Sequence, residues 1–485
     1  MRKIDQRLLL GGVLLITILL YLPSIWFEYI NLDDPYYYLE NPDVLSFDLF
    51  KIFSFKTLTL GDWTPLATIS YWFEYKIFGI DSRISHGFNL ALHLINGVLL
   101  FSLLKKIETN KWLIFYSALI FLIHPLQIES VAWISSRKNL LCAAFYTSSL
   151  ILLLDSRYLL TILFGFLALC SKGTAVTLPI VGIIILWLKN ERDQSRSLRS
   201  HLRSIVNEKN LLLTLLLLFV FSGLRGVLSL QSQKMVIWLS PANDYLPEER
   251  IAIALKVMAF QIIQFFYPKI LSVYYEWPAS NEIYFEALGF IAVGILVFWL
   301  SFKISKTTFA SLLIYLIILL PTANIVPAPM IQADRYLYQA LPWLCLVFGA
   351  LLSHYLPPKT VFLTAAVHAI LLMPLNQKHL FKWQNSSTLW AREYIQNAQS
   401  HQIQFNLGTI LEEEDKINLA IDLYKKSFYG RLANVPSCEL LIAALLKTNN
   451  VKGAVGYLRA CVTKHGLQKE FQKLDELIKQ KQGKS

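Results

Sequence analysis

Residues 8–34 read LLLGGVLLITILLYLPSIWFEYINLDD, a long apolar run that is followed within a few residues by two adjacent aspartates. The run from Leu8 to Trp26 is long enough to cross the hydrocarbon core of a bilayer as one helix. Asp33 and Asp34 therefore lie beside a membrane face, and a charge at the bilayer centre costs ~2.5–3.5 kcal/mol on insertion scales. An acidic pair in this position indicates a functional site, and a solvated loop is the plainer alternative.

The whole chain has the composition of a membrane protein. Of its 485 residues, 55% are hydrophobic and only 16% are charged, whereas soluble domains are about 45–50% apolar. Many apolar runs approach the roughly 20 residues that one span needs. These spans must be helices, because lipid offers no hydrogen-bond partner to open backbone groups. The sequence therefore predicts an all-α fold, a polytopic membrane helical bundle.

Lysine and arginine residues decide the predicted orientation. The formal net charge of +12 is attributed to basic cytoplasmic loops rather than to nucleic-acid binding, since such loops are the rule in membrane proteins. The basic N-terminus is predicted to be cytoplasmic and to continue into an uncleaved signal anchor. The loop 189–209 carries six Lys or Arg residues and is also placed inside, which puts Asp33, Asp34 and the C-terminus outside.

Two segments fit no clean span. The stretch from Asp48 to Arg83 mixes aromatic and charged residues, and we expect helices that lie along the outer face. The segment from Ile251 to Tyr267 is apolar but short, and the charges of later loops favour a re-entrant or outer-face helix. With both segments set aside, about 11 spans remain.

After Pro374 the composition turns polar, and a repeat appears. A spacing of 34 residues separates Leu407 from Leu441 and Ala420 from Ala454. This is the tetratricopeptide period, in which two-helix units stack because none can bury its own apolar face. The predicted domains are therefore 1–375, a membrane domain, and 376–485, a short extracytoplasmic tetratricopeptide-repeat domain; an ordinary pair of helical hairpins is the alternative.

The five cysteines do not form a disulfide scaffold. Cys142, Cys170 and Cys345 lie in apolar runs and are interpreted as small core residues. Cys438 and Cys461 are expected at opposed positions of one helical hairpin, where an oxidising compartment could join them. Two buried free thiols are the favoured interpretation of that pair.

Basic residues collect on the predicted outer face, against the positive-inside bias. They are Arg137, Lys138, Lys172 and Arg335. Arginine can hold phosphate in a bidentate fork and lysine acts as a point charge, so an anionic ligand at the outer surface would explain them. Pairing with local carboxylates such as Glu129 or Asp334 is the alternative.

Several histidines are candidates for structural or metal-binding roles. His86, Asn89, His93 and Asn96 share one helix face, and buried hydrogen bonding between helices is favoured there over metal binding. His124 and Glu129 could supply a metal ligand, but their spacing is not diagnostic. The sequence contains no Walker motif, glycine-rich phosphate loop or zinc signature, so ATP-driven work is not indicated. No metal ligand or cofactor is assigned, and a divalent metal is left open.

Five stretches carry a resemblance to a known family. They are NLDDPY at 31–36 with Asn41-Pro42, HGFNLALH at 86–93, HPLQIESVAW at 124–133 with Arg137-Lys138, Ser171-Lys172, and ADRYLY at 333–338. In this order, and with the repeat tail, they resemble the transmembrane and tetratricopeptide-repeat (TMTC-type) O-mannosyltransferases and their bacterial relatives among the GT-C glycosyltransferases. The chain departs from the eukaryotic members in its tail, which holds only about two repeats instead of a long array.

The resemblance implies a glycosyltransferase that takes a mannose-like sugar from a polyprenyl-phosphate donor to a protein or glycan hydroxyl outside the cytoplasm. It implies catalytic roles for Asp33 and Asp34. It implies a donor-binding set of Arg137, Lys138, Lys172, Arg335 and Tyr336, with His86, His124, Glu129 and Asp334 as further candidates. A bacterial inner membrane with periplasmic repeats is the expected location.

The chemistry expected of such a site suits these residue types. A carboxylate can take the proton of the attacking hydroxyl, while basic residues stabilise the departing lipid phosphate. One such displacement predicts inversion at the sugar carbon. The alternatives are a non-catalytic scaffold whose repeats recruit envelope proteins, and a translocator of lipid-linked sugars.

Overall fold

The computed structural model describes residues 6–194, 205–234, 245–278, 283–328, 330–429, 435–466 and 469–482. In these ranges the chain is helical, and the bridge between Thr59 and Asp62 is the strand-like pairing that they contain. This confirms the predicted all-α class. The chain forms two compact units, residues 1–384 and residues 385–485.

The first unit is a bundle of helices joined by short connections. Its helices are α1 (Gln6–Tyr21), α2 (Pro42–Leu45), α3 (Leu49–Phe53), α4 (Pro65–Phe78), α5 (Ser82–Ile107), α6 (Lys111–Ile123), α7 (Ile128–Ala132), α8 (Arg137–Leu154), α9 (Tyr158–Ser171), α10 (Leu178–Gln194), α11 (Lys209–Lys234), α12 (Pro247–Phe266), α13 (Ile283–Ile304), α14 (Lys306–Leu319), α15 (Leu341–Tyr355) and α16 (Pro358–Leu380). Helix α16 contains Pro374 and continues beyond it.

Among the described helices, five are long and apolar enough to cross a bilayer. They are Gln6–Trp26, Ser82–Ile107, Gly173–Asn190, Lys209–Ser232 and Thr360–Trp383, and the pair Lys111–Ile123 and Pro125–Ala132, bent by 54°, would be a sixth. Shorter apolar helices lie at Tyr158–Ser171, Gly294–Ile304, Lys306–Thr322 and Leu341–Tyr355. These helices support a multi-pass membrane protein, and the count of about 11 spans stays a prediction.

A row of polar side chains on α5 holds the bundle together. Asn89 Nδ2 donates to the carbonyl oxygen of Val131 at 3.3 Å, and Asn96 Nδ2 donates to that of Leu140 at 3.0 Å. His93 Nδ1 lies 2.8 Å from the hydroxyl of Tyr338. The predicted hydrogen bonding between helices is therefore observed for Asn89, His93 and Asn96, whereas for His86 it stays a prediction; in a membrane such bonds help to hold helices together.

Small residues let α5 and α6 approach closely. A Cβ atom on Gly97 would lie 2.6 Å from the Leu122 side chain, so only glycine fits there without a shift of Leu122. Helix α6 begins where Asn110 accepts hydrogen bonds from the backbone N–H groups of Trp112 and Leu113 at 3.1 and 3.4 Å. Together these contacts fix the position at which α6 ends and the segment from 124 to 136 begins.

The stretch 48–83, which the sequence analysis placed on the outer face, forms α3 and α4 with a tight turn between them. Tyr71 on α4 is fully buried and donates to the carbonyl of Ile134 at 2.7 Å, so α4 packs against the bundle. Phe50 on α3 is 92% exposed. Residues 251–266 of the segment from Ile251 to Tyr267 lie in α12, which is not among the described helices that are long and apolar enough to span.

The second unit consists of antiparallel helices. They are α17 (Ser386–Gln396), α18 (His401–Glu413), α19 (Ile417–Phe428), α20 (Val435–Lys447), α21 (Val451–His465) and α22 (Lys469–Gln482). A Cβ atom on Gly408 would lie 2.6 Å from the Tyr424 ring, and the repeat-related Ala420 and Ala454 are both fully buried. The assignment of these helices to tetratricopeptide repeats stays a prediction.

The structure joins Cys438 to Cys461 by a disulfide between α20 and α21. The expectation of two free thiols was wrong, because both side chains are fully buried in the same hairpin core and their Cα atoms lie 6.1 Å apart. Cys142, Cys170 and Cys345 are buried and free, as the sequence analysis expected.

Candidate active site

Four breaks between helices bring polar residues together in the first unit. They are the loop after α1, the turn before α4, the stretch between α6 and α8, and the 3-10 turn Asp334–Leu337. Irregular backbone at membrane depth is tolerated only where protein or a water-filled cavity satisfies it, so such breaks are natural places for a site.

Asp34 is fully buried and tied down at both carboxylate oxygens. One oxygen accepts from the backbone N–H of Ile30 at 2.8 Å, and the other from the N–H of Ser135 at 2.9 Å and from the Ser135 hydroxyl. Burial raises the pKa of Asp34 to about 6, although these three donors act to lower it. Asp34 therefore anchors the acidic loop to the segment before α8, and its oxygens are already occupied.

Asp33 has the opposite surroundings. Its side chain is partly exposed, and among the described residues no hydrogen bond to its carboxylate is found. Burial raises the pKa of Asp33 above its usual range, while the nearby positive charges of Lys138 and Arg335 act to lower it. An accessible carboxylate with a raised pKa suits a group that must accept a proton.

Three cations, Lys138, Lys172 and Arg335, are here called the basic cluster. Lys138, at the start of α8, is the first of them. Its Nζ donates to the Tyr37 hydroxyl at 2.6 Å and lies 4.0 Å from the centre of the same ring. A carboxylate oxygen of Asp62 lies 3.7 Å from this nitrogen. Lys138 therefore lies between the acidic loop, which carries Tyr37, and the turn before α4, which carries Asp62, and its charge acts on Asp33.

Lys172, at the end of α9, is the second cation. It donates to the side chain of Asn139, and its Nζ lies 5.4 Å from the centre of the Tyr336 ring. Burial lowers the pKa of Lys172 to about 7, and the positive charges of Arg335 and Lys138 lower it further. An anion bound nearby would restore the positive charge of Lys172.

Arg335 is held by Glu129 from two sides. A guanidinium nitrogen pairs with one Glu129 oxygen, and the backbone N–H of Arg335 donates to the other at 2.8 Å. The guanidinium carbon lies 5.1 Å from the centre of the Trp133 ring and 5.3 Å from that of Tyr336. Arg335 thus pairs with Glu129, as the alternative in the sequence analysis had it. The positive charge of Arg335 still acts on Asp33, whose pKa it lowers.

Asp334 stands beside this pair but faces another segment. It is 6% exposed and accepts a hydrogen bond from the Tyr275 hydroxyl at 2.7 Å. Gln264 Nε2 in turn donates to Tyr275 at 2.8 Å, which ties α12 to the 3-10 turn. This arrangement positions the turn that carries Arg335 and Tyr336.

The structure does not bring Arg137 into the cluster, although the sequence analysis assigned it to the donor. The guanidinium is 1% exposed and pairs with the fully buried Glu74 at 2.7 Å. It also donates to Asn89 Oδ1 at 3.0 Å and to the carbonyl of Ser85 at 3.1 Å, and it lies 4.3 Å from the centre of the Tyr71 ring. These partners use its donors and describe a structural ion pair between α4, α5 and α8.

The two histidine candidates are also separate from the cluster. His86 is 1% exposed, with its ring edge-to-face against Phe27. His124 caps the short helix after α6 by accepting from the backbone N–H of Leu126 at 3.1 Å, and its Nε2 lies 2.9 Å from the carbonyl oxygen of Phe265. Across the described ranges, no group of three or more His, Cys, Asp or Glu side chains is arranged to hold a metal ion.

Sequence reasoning missed four members of the cluster: Tyr37, Asp62, Asn139 and Arg225. Arg225 on α11 pairs with Asp62 at 3.1 Å. The signal for Arg225 was present in the sequence, because an arginine inside an apolar run of spanning length needs a partner or a function. No sequence signal distinguishes Asp62 from other loop aspartates.

Comparisons with known proteins show which proteins the chain resembles. No protein-family model matches the chain. Over 83 residues it is 31% identical to Protein O-mannosyl-transferase TMTC1 of Mus musculus, and over 96 residues it is 30% identical to Protein O-mannosyl-transferase F38B6.6 of Caenorhabditis elegans. The TMTC1 protein of Homo sapiens is 30% identical over 83 residues.

The chain is similar to TMTC-type protein O-mannosyltransferases. This finding confirms the resemblance drawn from the five stretches. The similarity is restricted in extent: the matches cover 17% to 19% of this chain and only 9% to 14% of the length of these relatives.

Proposed function

We propose that this protein is an inverting GT-C glycosyltransferase that moves a mannose-like sugar from a polyprenyl-phosphate donor to a hydroxyl acceptor on a protein or glycan. The observation that carries the proposal is the position of Asp33, a partly exposed carboxylate in the field of Lys138 and Arg335. The influence of both cations on Asp33 supports the proposal that one bound molecule meets a proton acceptor and a phosphate-binding group. The similarity to proteins named O-mannosyl-transferases supports the same reaction class.

Asp33 is proposed as the general base. The acceptor oxygen forms its bond to the anomeric carbon as the hydroxyl proton moves to the Asp33 carboxylate. The bond from that carbon to the phosphate oxygen breaks, and its electron pair leaves with the polyprenyl phosphate. Attack from the face opposite the leaving group inverts the configuration of the sugar carbon.

The basic residues are proposed to stabilise the departing phosphate. Lys138, Lys172 and Arg335 supply positive charge from three different elements, and the charges of Lys138 and Arg335 act on Asp33. Pre-positioned charge of this kind costs no reorganisation as the phosphate gains its second negative charge. Glu129 orients Arg335, and Tyr336 packs against both Arg335 and Lys172. Asp34 is a positioning residue, since its oxygens are used by Ile30 and Ser135.

We place the active face and the C-terminal unit outside the cytoplasm, at the periplasmic side of a bacterial inner membrane, with the N-terminus inside. The disulfide between Cys438 and Cys461 supports this orientation, because disulfides persist in oxidising compartments and are rare in the cytosol. The predicted repeats would then meet acceptor proteins or other envelope partners on the same side.

The test is sugar transfer by purified protein in proteoliposomes, using a radiolabelled polyprenyl-phosphate sugar. Asp33→Asn should lower the transfer rate by about 10²–10⁴-fold without lowering the amount of folded protein. Asp48→Asn is the matched control: Asp48 is an exposed aspartate that caps α3, and asparagine caps equally well. Full activity of Asp33→Asn would reject the assignment and favour the scaffold alternative.

A further inference from the structure

A tight turn carries an extra carboxylate into the basic cluster. Thr59 and Asp62 exchange two backbone hydrogen bonds, at 3.0 and 2.9 Å, around Leu60 and Gly61. Both central residues have positive φ, 50° and 76°, as a two-residue type I′ turn requires. The turn is small and lies at the outer edge of the site, with the Leu60 side chain half exposed. Asp62, its last residue, is directed at the cations.

The Asp62 carboxylate meets cations from separate helices. One oxygen lies 3.1 Å from Arg225 Nη2, and the other lies 3.7 Å from Lys138 Nζ. Burial acts to raise the pKa of Asp62, but Lys138, Arg225 and Lys172 together hold it below its usual range. A single carboxylate is therefore the negative partner shared by three positive groups.

Asp62 is also more exposed than two of its cation partners. Its side chain is 30% exposed, whereas those of Lys138 and Arg225 are 10% and 3% exposed. Withdrawal of the turn would break two bonds, the one from the Tyr37 hydroxyl to the Thr59 carbonyl at 3.2 Å and the one from Arg225 Nη2 to the Trp63 carbonyl at 3.0 Å.

The cations have second anchors that do not depend on Asp62. Lys138 donates to the Tyr37 hydroxyl at 2.6 Å, and Arg225 Nε donates to the carbonyl of Leu169 at 3.2 Å. Lys172 donates to Asn139. If the carboxylate withdrew, these bonds would keep the cations in place, and the cations would face a gap that only another anion could fill at low cost.

We propose that Asp62 occupies the position of the donor phosphate and that the donor displaces it, so that Arg225 becomes a phosphate-binding residue together with Lys138 and Lys172. This inference rests on the function proposed above and names the phosphate subsite within it. The ligand class is a phosphate ester on a lipid chain.

The charges match such an exchange. The phosphate of a polyprenyl-phosphate sugar is a diester with one negative charge, which equals the charge of the Asp62 carboxylate. The exchange on binding is therefore neutral. When the bond to the sugar breaks, the phosphate becomes a monoester that approaches two negative charges at neutral pH. With Asp62 withdrawn, the cluster has the spare positive charge that this second negative charge needs.

If the donor binds only when the turn is withdrawn, its apparent dissociation constant is the intrinsic constant divided by the fraction of molecules in which the turn is withdrawn. Removing the Asp62 charge removes this competition. Competition and a structural role therefore predict opposite changes in phosphate affinity. If Asp62 competes with the phosphate, its loss strengthens phosphate binding. If Asp62 only holds the cations in place, its loss disorders them and weakens phosphate binding.

The experiment measures the dissociation constant of farnesyl phosphate, a short-chain lipid phosphate, by calorimetry on the purified full chain in detergent. Asp62→Asn should bind about tenfold more tightly than the unsubstituted protein. Asp62→Glu, which keeps the charge, and the control Asp48→Asn should bind as the unsubstituted protein does. Equal or weaker binding by a folded Asp62→Asn variant would overturn the inference.

A second measurement does not require the loss of any charge. A spin label attached to Leu60→Cys should change its mobility when farnesyl phosphate saturates the protein, because the turn moves as Asp62 leaves. An unchanged spectrum at saturation would overturn the inference. Both measurements report binding rather than transfer. An active Asp33→Asn enzyme would therefore reject the proposed function alone, and an unmoved turn beside an inactive Asp33→Asn enzyme would reject this inference alone.

Discussion

The buried pair of Glu74 and Arg137 provides the sharpest test of which basic residues serve the proposed donor. Glu74 is fully buried and Arg137 is 1% exposed, and the two lie 2.7 Å apart. Removing one partner of a buried ion pair typically costs ~3–5 kcal/mol, because the other charge stays in a low-dielectric place without compensation. Arg137 keeps its bonds to Asn89 and Ser85 in Glu74→Gln, so we expect a loss near the lower end, about 3 kcal/mol.

The assay is equilibrium unfolding of purified variants in detergent, combined with donor KM. Glu74→Gln and Arg137→Gln should each be strongly destabilised, and the double variant should lose less than the sum of the two. Arg83→Gln breaks an exposed pair with Asp81 and should leave stability almost unchanged. The reasoning is refuted if Arg137→Gln is as stable as the unsubstituted protein but shows a raised donor KM, since Arg137 would then be a donor ligand.

Three further predictions follow from the site and the second unit. Activity should fall at low pH as Asp33, whose pKa is raised, takes up a proton, and at high pH as Lys172, with a pKa of about 7, loses its charge. In a pH profile of kcat/KM, Lys172→Arg should remove only the alkaline decline. A profile that this variant leaves unchanged would contradict the assignment. Ser135→Ala deletes the hydroxyl that donates to the Asp34 carboxylate, and it should lower the free energy of unfolding by ~1.5–3 kcal/mol. It should also change kcat more than KM. A variant with reduced stability but full kcat would show that the bond between Ser135 and Asp34 does not position Asp33. Alkylation of the denatured protein without reductant should modify three cysteines and leave Cys438 and Cys461 protected, whereas a Cys438→Ser variant should show one more reactive thiol. Reactivity of both Cys438 and Cys461 in unreduced protein would contradict the disulfide.

Local patterns predicted much of the fold. Apolar runs of spanning length and the basic loop 189–209 indicated a helical membrane protein. The polar face of α5 indicated hydrogen bonding between helices, which is observed for Asn89, His93 and Asn96. Such features follow from periodicity and hydropathy, which are properties of neighbouring residues.

Features of the site that depend on distant residues could not be predicted in this way. The sequence presents Asp33 and Asp34 as equivalent. Asp34 is distinguished by the donor of Ile30 nearby and by the two donors of Ser135, about a hundred residues away. Arg137 and Lys138 are likewise adjacent in sequence, but a helix points consecutive side chains about 100° apart. One therefore meets Glu74 and the other meets Tyr37 and Asp62.

The central claim is that Asp33 and the cations that bind the donor phosphate belong to one site. A structure with a bound donor tests this claim most directly. We expect cryo-electron microscopy of the Asp33→Asn protein with a polyprenyl-phosphate sugar to place the phosphate within about 3 Å of Lys138 or Arg335 nitrogens, with the sugar carbon turned toward residue 33. A phosphate bound elsewhere, or a sugar carbon that residue 33 cannot reach through the acceptor hydroxyl, would contradict the account.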